Sequence, residues 1–195
     1  MVDDFIVRRL VSTSTRISVE QYDAMILRGE FEPRKEHHVE LLYGEIVKMC
    51  PIGPPHSSIK TKLVEWSFRS PPPRSMRVIL GALSIKALDS EPEPDLAWAR
   101  RLVYRSRRPA PENVRRVIEV ADSSLANDRG LKVRLYAEAG IADYGIGNLV
   151  DCCIEVRREP KDGAYQSVES YGVRQEVRPL VFPEAALAVD RVFPS

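Results

Sequence analysis

The chain has 195 residues, of which 44% are apolar and 29% charged, with a formal net charge of +1. That length suits one domain around a single core, and no apolar run approaches the ~18 residues of a membrane-spanning helix. The near-neutral charge excludes a protein that attracts polyanions through its overall field.

Three cysteines, Cys50, Cys152 and Cys153, show no C-x-x-C spacing and form neither a disulfide framework nor a zinc site. The first 16 residues carry Asp3, Asp4 and a polar run from Ser12 to Arg16, without an apolar signal segment. A cytoplasmic location is the expectation. Residues 1–17 are expected to be flexible, with one domain over 18–195.

In chain order, Ser18-Val-Glu-Gln21 has the form of a capping box and opens a short helix that Gly29 can close. Val39 to Met49 holds Tyr43-Gly44-Glu45 between apolar runs and reads as a hairpin or bent strand. A second helix starts near His56, with Ile59, Leu63 and Trp66 on one face, and Pro71-Pro72-Pro73 stops it. Arg77 to Leu88, Pro94 to Trp98 and Val114 to Ala121 read as strands. Ser123 or Ser124 caps a helix to about Ala139, with Gly140 just beyond. Asp143 to Val150, Ile154 to Arg158 and Tyr165 to Tyr171 are further strands, the last two joined by Asp162-Gly163. A mixed sheet with helices on its faces accommodates this α/β order.

Glu119 requires an explanation, because Val117-Ile-Glu-Val-Ala121 is apolar enough for a central strand. An ionised carboxylate there is unfavourable without a cation or donors, and an arginine partner is the plain alternative to a metal. If the strands carrying Asp95 and Glu119 pair antiparallel, a register of Ala97 with Val117 and Ala99 with Arg115 sets the two carboxylates opposite each other. Opposed residues share a face with Cβ atoms about 4.5–5.5 Å apart, so the pair repels unless a divalent cation joins it. Carboxylate oxygens suit magnesium, with waters and substrate phosphate completing the octahedron.

On a helical wheel Asp128, Leu131, Lys132, Leu135, Tyr136 and Ala139 share a side, opposite Gly130, Arg134 and Glu138, while Val133 fits neither side. Lys132 then points toward the sheet. The alternative is a surface pair with Asp128 four residues earlier.

The strings VELLYGEIVKM, SEPEPDLAWAR and VIEVADSSLANDRGLKVRLYAEAGI resemble the Uma-two endonuclease family, a branch of the PD-(D/E)XK, or restriction-endonuclease-like, superfamily. The similarity runs from about Ser18 to Pro194. It implies an αβββαβ core and metal-dependent hydrolysis of phosphodiester bonds, with DNA the expected substrate. Asp95 matches the aspartate of the PD motif and Glu119 the acidic residue of the (D/E)XK half-motif. Ala121 stands where that half-motif has lysine, and Lys132 matches a lysine moved to the following helix. Glu40 matches an acidic residue of the N-terminal strand, and His56 a histidine position without an assigned role. The chain departs from the family after AGI, where Ala142-Asp-Tyr-Gly-Ile-Gly147 replaces a pattern close to P-E-Y-W-I-V. Glycines 145 and 147 are expected to weaken that strand. The Arg100–Tyr104 linker is also short.

The leading expectation is a nuclease with Mg²⁺, or Mn²⁺ in its place, held by Asp95, Glu119 and the Val120 carbonyl. Lys132 orients a water or stabilises phosphate charge, and Glu40 completes a second metal position. Arg100 to Arg116 contains seven arginines, and Arg105, Arg107 and Arg108 are candidates for flanking phosphates about 13 Å from Asp95. A solvated loop is the alternative for this segment. The expected partner is nucleic acid, with homodimerisation left open. A nuclease fold that binds nucleic acid or a partner without turnover is the alternative function, and a structural or toxin-like role has no specific feature behind it. His37-His38 and His56 share no helical face and so do not indicate zinc.

Overall fold

The computed structural model describes residues 16–31, 38–49, 51–70, 75–105 and 107–193. Helix α1 (Val19–Leu27) is set by its capping box: the Gln21 N–H donates to Ser18 Oγ at 3.3 Å, and the Ser18 N–H donates to Gln21 Oε1 at 2.8 Å. Val19 and Tyr22 bury against Leu41 of the next strand. Of the expected flexible segment only Arg16 and Ile17 are described, and the Ile17 N–H already donates to the Gly44 carbonyl at 3.0 Å. Ser18→Ala is expected to lower stability by about 1 kcal/mol. The urea midpoint should fall with an unchanged slope, since the exposed area of the unfolded chain does not alter.

Strands β1 (Val39–Leu42) and β2 (Glu45–Lys48) form the hairpin expected from Tyr43-Gly44, both of which lie at positive φ, +52° and +76°. Helix α2 (Pro54–Arg69) begins two residues before His56, because Pro54 and Pro55 lack N–H groups that the first turn leaves unpaired anyway. Its expected stop at Pro71-Pro72-Pro73 lies outside the described residues.

The main sheet has six strands in the order β3 (Met76–Ile79), β4 (Leu96–Arg100), β5 (Val114–Ala121), β6 (Asp143–Asn148), β7 (Cys153–Lys161) and β8 (Ala164–Tyr171). Within it only β5 and β6 pair in parallel, and helices α3 (Leu125–Arg129) and α4 (Leu131–Glu138) make the crossover between them. The run α2-β3-β4-β5-α4-β6 is the expected αβββαβ core. The strand expected over Arg77–Leu88 ends at Ile79, and the remainder turns through Asp89 at φ +43°.

Alternation along β5 explains its continuous apolar run. Ile118 and Val120 join Leu96 and Trp98 against Ile59, Leu63 and Trp66 of α2. Val117 and Ala121 join Ala97 against Leu135 and Tyr136 of α4. Both faces are covered, as a strand central to a mixed sheet requires. No helix among the described residues is long and apolar enough to cross a membrane.

Glycines 145 and 147 do not open the core. Strand β6 keeps its full ladder with β5 and β7. A Cβ on Gly145 would meet the Arg116 Nη2 at 3.4 Å, and one on Gly147 would meet Leu63 Cδ1 at 3.6 Å. Beside Gly145 the space belongs to Arg116, which is 1% exposed and donates to Asp143 Oδ2 at 3.0 Å. Its guanidinium also lies 5.8 Å from the Trp66 ring. The space beside Gly145 is thus occupied by the buried ion pair Arg116–Asp143.

Candidate active site

Strand pairing brings the two carboxylates together. Leu96 faces Ile118 and Ala97 faces Val117, which carries Asp95 opposite Glu119 at the head of β4. The expected register holds up to Trp98, facing Arg116, and then slips. Ala99 faces Val114, not Arg115, because a bulge lies between Trp98 and Ala99. The slip falls on the far side of the pair, so the carboxylates keep their places.

Asp95 and Glu119 are joined through the backbone: the Asp95 N–H donates to Glu119 Oε2 at 3.2 Å, and the Val120 N–H donates to Asp95 Oδ2 at 2.8 Å. Asp95 also faces two basic side chains from the start of α2, His56 Nε2 at 3.2 Å and Lys60 Nζ at 2.9 Å. Burial acts to raise the Asp95 carboxyl, but His56 and Lys60 outweigh it and hold it below its usual range. The same contact with Asp95 raises His56 against its own desolvation.

Glu119 lies on the α4 side of the sheet. Its Oε1 accepts from Lys132 Nζ at 3.0 Å and from the Tyr136 hydroxyl at 2.9 Å. Lys132 is 5% exposed and also reaches Glu40 Oε2 at 3.3 Å, an oxygen that accepts from the Glu93 N–H at 3.2 Å. Lys132 thus pairs with Glu119 and Glu40, and the Asp128 of the surface-pair alternative is itself buried.

Two carboxylates from distant strands therefore share one ammonium, with Asp128 and Asp95 near. Burial pushes the Glu119 carboxyl up to about 8, and the neighbouring acids add to this. Desolvation alone would lower Lys132, yet Glu119, Glu40 and Asp128 outweigh it and raise it. A raised lysine marks a favourable pair and a raised glutamate an unfavourable one. The charge count reconciles them: one ammonium cannot neutralise three surrounding acids, so Lys132 keeps its proton and the acids share the excess charge.

The helix carrying Lys132 is not the single one expected to Ala139. Gly130, at φ −109° and ψ −92°, separates α3 from α4 and re-aims the second helix. Lys132, Leu135 and Tyr136 face the sheet, whereas Leu131, expected beside them, is 38% exposed.

The basic segment is less free than its composition implies. Arg116 is buried in its pair with Asp143, and Arg115 donates to the Glu112 carbonyl at 3.1 Å. Arg108, one of the three expected phosphate contacts, is instead half-buried between Asp23 and Glu91, the latter at 3.0 Å. Arg105 and Arg107 are exposed. All three line a groove of about 980 Å³ with Asp23, Glu91 and Glu112, and neither Asp95 nor Glu119 lines it.

Sequence reasoning passed over Lys60 and Tyr136 and left His56 without a role. His56 and Lys60 stand four residues apart on α2, the spacing that puts two side chains on one helical face. Among the described residues, no three of His, Cys, Asp and Glu converge as a complete metal cage. The donor set is nonetheless hard oxygen with excess negative charge, which suits a cation that keeps water and phosphate as its other ligands.

A family model with the description "Putative restriction endonuclease", Uma2, matches residues 19–190 of the chain. Among solved structures, a "putative nuclease belonging to DUF820" from Anabaena variabilis ATCC 29413 is similar, with a TM-score of 0.67 at 18% identity. The match covers 91% of this chain and 97% of that one. No curated protein matches the chain.

Proposed function

This chain belongs to the Uma2 family, and on that premise we propose that it is a metal-dependent endonuclease hydrolysing phosphodiester bonds of DNA. The observation that carries this reading is the convergence of Asp95 and Glu119 from adjacent strands with Lys132 from α4 in one buried cluster of charge.

Asp95, Glu119 and the Val120 carbonyl would hold magnesium, or manganese in its place. When bound, that ion lowers the pKa of a water and polarises the scissile phosphate. The chain's own residues do the positioning. The Val120 N–H fixes Asp95, the Asp95 N–H and Tyr136 fix Glu119, and the carboxylates are thus set before substrate arrives. Lys132 holds Glu119 and Glu40 in register and keeps its charge close to developing phosphate charge. Glu40, already bound to Lys132, would flank a second ion. Arg105 and Arg107 remain available for flanking phosphates, which position a duplex without reading its sequence.

The test is a plasmid-cleavage assay with magnesium, manganese or EDTA. Linear or nicked product is expected with either metal and none with EDTA. DNA binding without cleavage under all three conditions would move the assignment to a nuclease fold that binds without turnover. Product in EDTA would remove the metal.

A further inference from the structure

We propose that Lys60 is a phosphate-binding residue of this site whose ammonium, before metal and substrate arrive, neutralises Asp95 in the metal's stead. The inference rests on the metal-dependent reading above and adds to it a residue that the motif does not contain.

Asp95 is contacted by two basic groups. His56 Nε2 and Lys60 Nζ both contact it, at 3.2 and 2.9 Å, in addition to the Val120 N–H. A divalent cation on the same oxygens would place these groups against a like charge at close range. The two partners differ in what they can do then. His56 has a short, stiff side chain that is 14% exposed, whereas Lys60 is 33% exposed and ends a four-carbon stem.

Access separates Lys60 from the other lysine of the site. Lys132 is 6% exposed at its side chain and committed to two carboxylates, so it cannot leave them. Lys60 lies at the rim, on the second turn of α2, with Asp95 as its only acidic partner among the described residues. Displaced from Asp95, its ammonium stays within one side-chain length of the carboxylate that holds the metal. That is where the oxygens of a bound phosphate must lie. Lys60 thus trades one anion for another: Asp95 in the empty site, substrate phosphate in the loaded one. The exchange makes the ammonium a competitor of the metal and an ally of the substrate.

Lys60→Met keeps the stem and removes the charge, and Lys60→Arg keeps the charge. Manganese affinity is measured by titration calorimetry without DNA, and affinity for a short duplex by fluorescence anisotropy across a salt series. Lys60→Met is expected to bind manganese about twofold to fivefold more tightly, the scale of one partly exposed ion pair. It should bind the duplex more weakly, with a salt slope shallower by up to about 0.9. Lys60→Arg should restore the duplex affinity and slope. Manganese affinity that is unchanged or weaker in Lys60→Met overturns the proposal, and so does an unchanged salt slope. If the parent binds manganese and cleaves DNA in those cases, only Lys60 loses its role. A parent that neither binds manganese nor cleaves removes the nuclease reading and this proposal together.

Discussion

Asp95→Asn and Glu119→Gln are each expected to abolish magnesium and manganese binding in titration calorimetry, and plasmid cleavage with it. Both substitutions preserve shape while removing the charge that a hard cation requires. The amide introduced by Asp95→Asn would keep an oxygen for the Val120 N–H, so the local backbone contact survives and the loss reports the metal site. Undiminished binding in both variants would overturn the assignment.

The pH dependence of the parent supplies a second reading of the same site. Burial pushes Glu119 up to about 8, so below that value the empty site holds a proton that the metal must displace. Metal affinity should weaken as pH falls from about 8 toward 6, and binding should release up to one proton per site. The stability of the empty protein runs the other way. Between the ordinary value of 4.5 and about 8 the folded chain holds more protons than the unfolded chain, so stability falls as pH rises through that window. Lys132 does not contribute a slope there, because its raised pKa adds stability that is fully present below its ordinary value of 10.5. A metal affinity independent of pH over this range would place the excess proton elsewhere.

Lys132→Met is expected to lower single-turnover cleavage by about 10²-fold or more, on the scale of losing one transition-state donor. The structure adds a consequence for stability. Lys132 is buried between Glu119 and Glu40, and its removal leaves two facing carboxylates uncompensated, an arrangement that costs about 3–5 kcal/mol when both stay charged. Part of that loss should disappear at low pH, where the carboxylates protonate, and part on saturation with magnesium. Measuring cleavage on protein folded in magnesium separates chemistry from stability. A variant that melts normally with magnesium yet cleaves 10²-fold more slowly supports a role for the ammonium in the reaction. One that cleaves at the parental rate would make Lys132 a structural counter-ion.

Much of this arrangement is local enough to be read along the chain. The Ser18 capping box, the Tyr43-Gly44 and Asp162-Gly163 turns and the apolar run of β5 each depend on a few neighbouring residues, and each forms as its sequence implies. The pairing of Asp95 with Glu119 was legible for the same reason: two short apolar strands admit few registers that keep both faces buried. Other features depend on contacts between residues far apart in sequence. The bulge after Trp98 has no local signature, and Gly130 divides a helix whose apolar pattern runs straight through it. Composition marked Arg108 as a cation for phosphate, but Glu91, brought in by a distant segment, claims it, as Asp143 claims Arg116 of the same basic run. Glycine 145 reads as a flaw until Arg116 from the adjacent strand fills the space beside it. Lys60 and His56 acquire meaning only when the second helix lies across the head of β4 and sets them on Asp95. The sequence alone determined most of the elements and the acidic pair, because propensity and apolar patterning act over a few residues. Which cation meets which acid was decided by the tertiary structure, because a charge is claimed by whatever folding brings within about 4 Å.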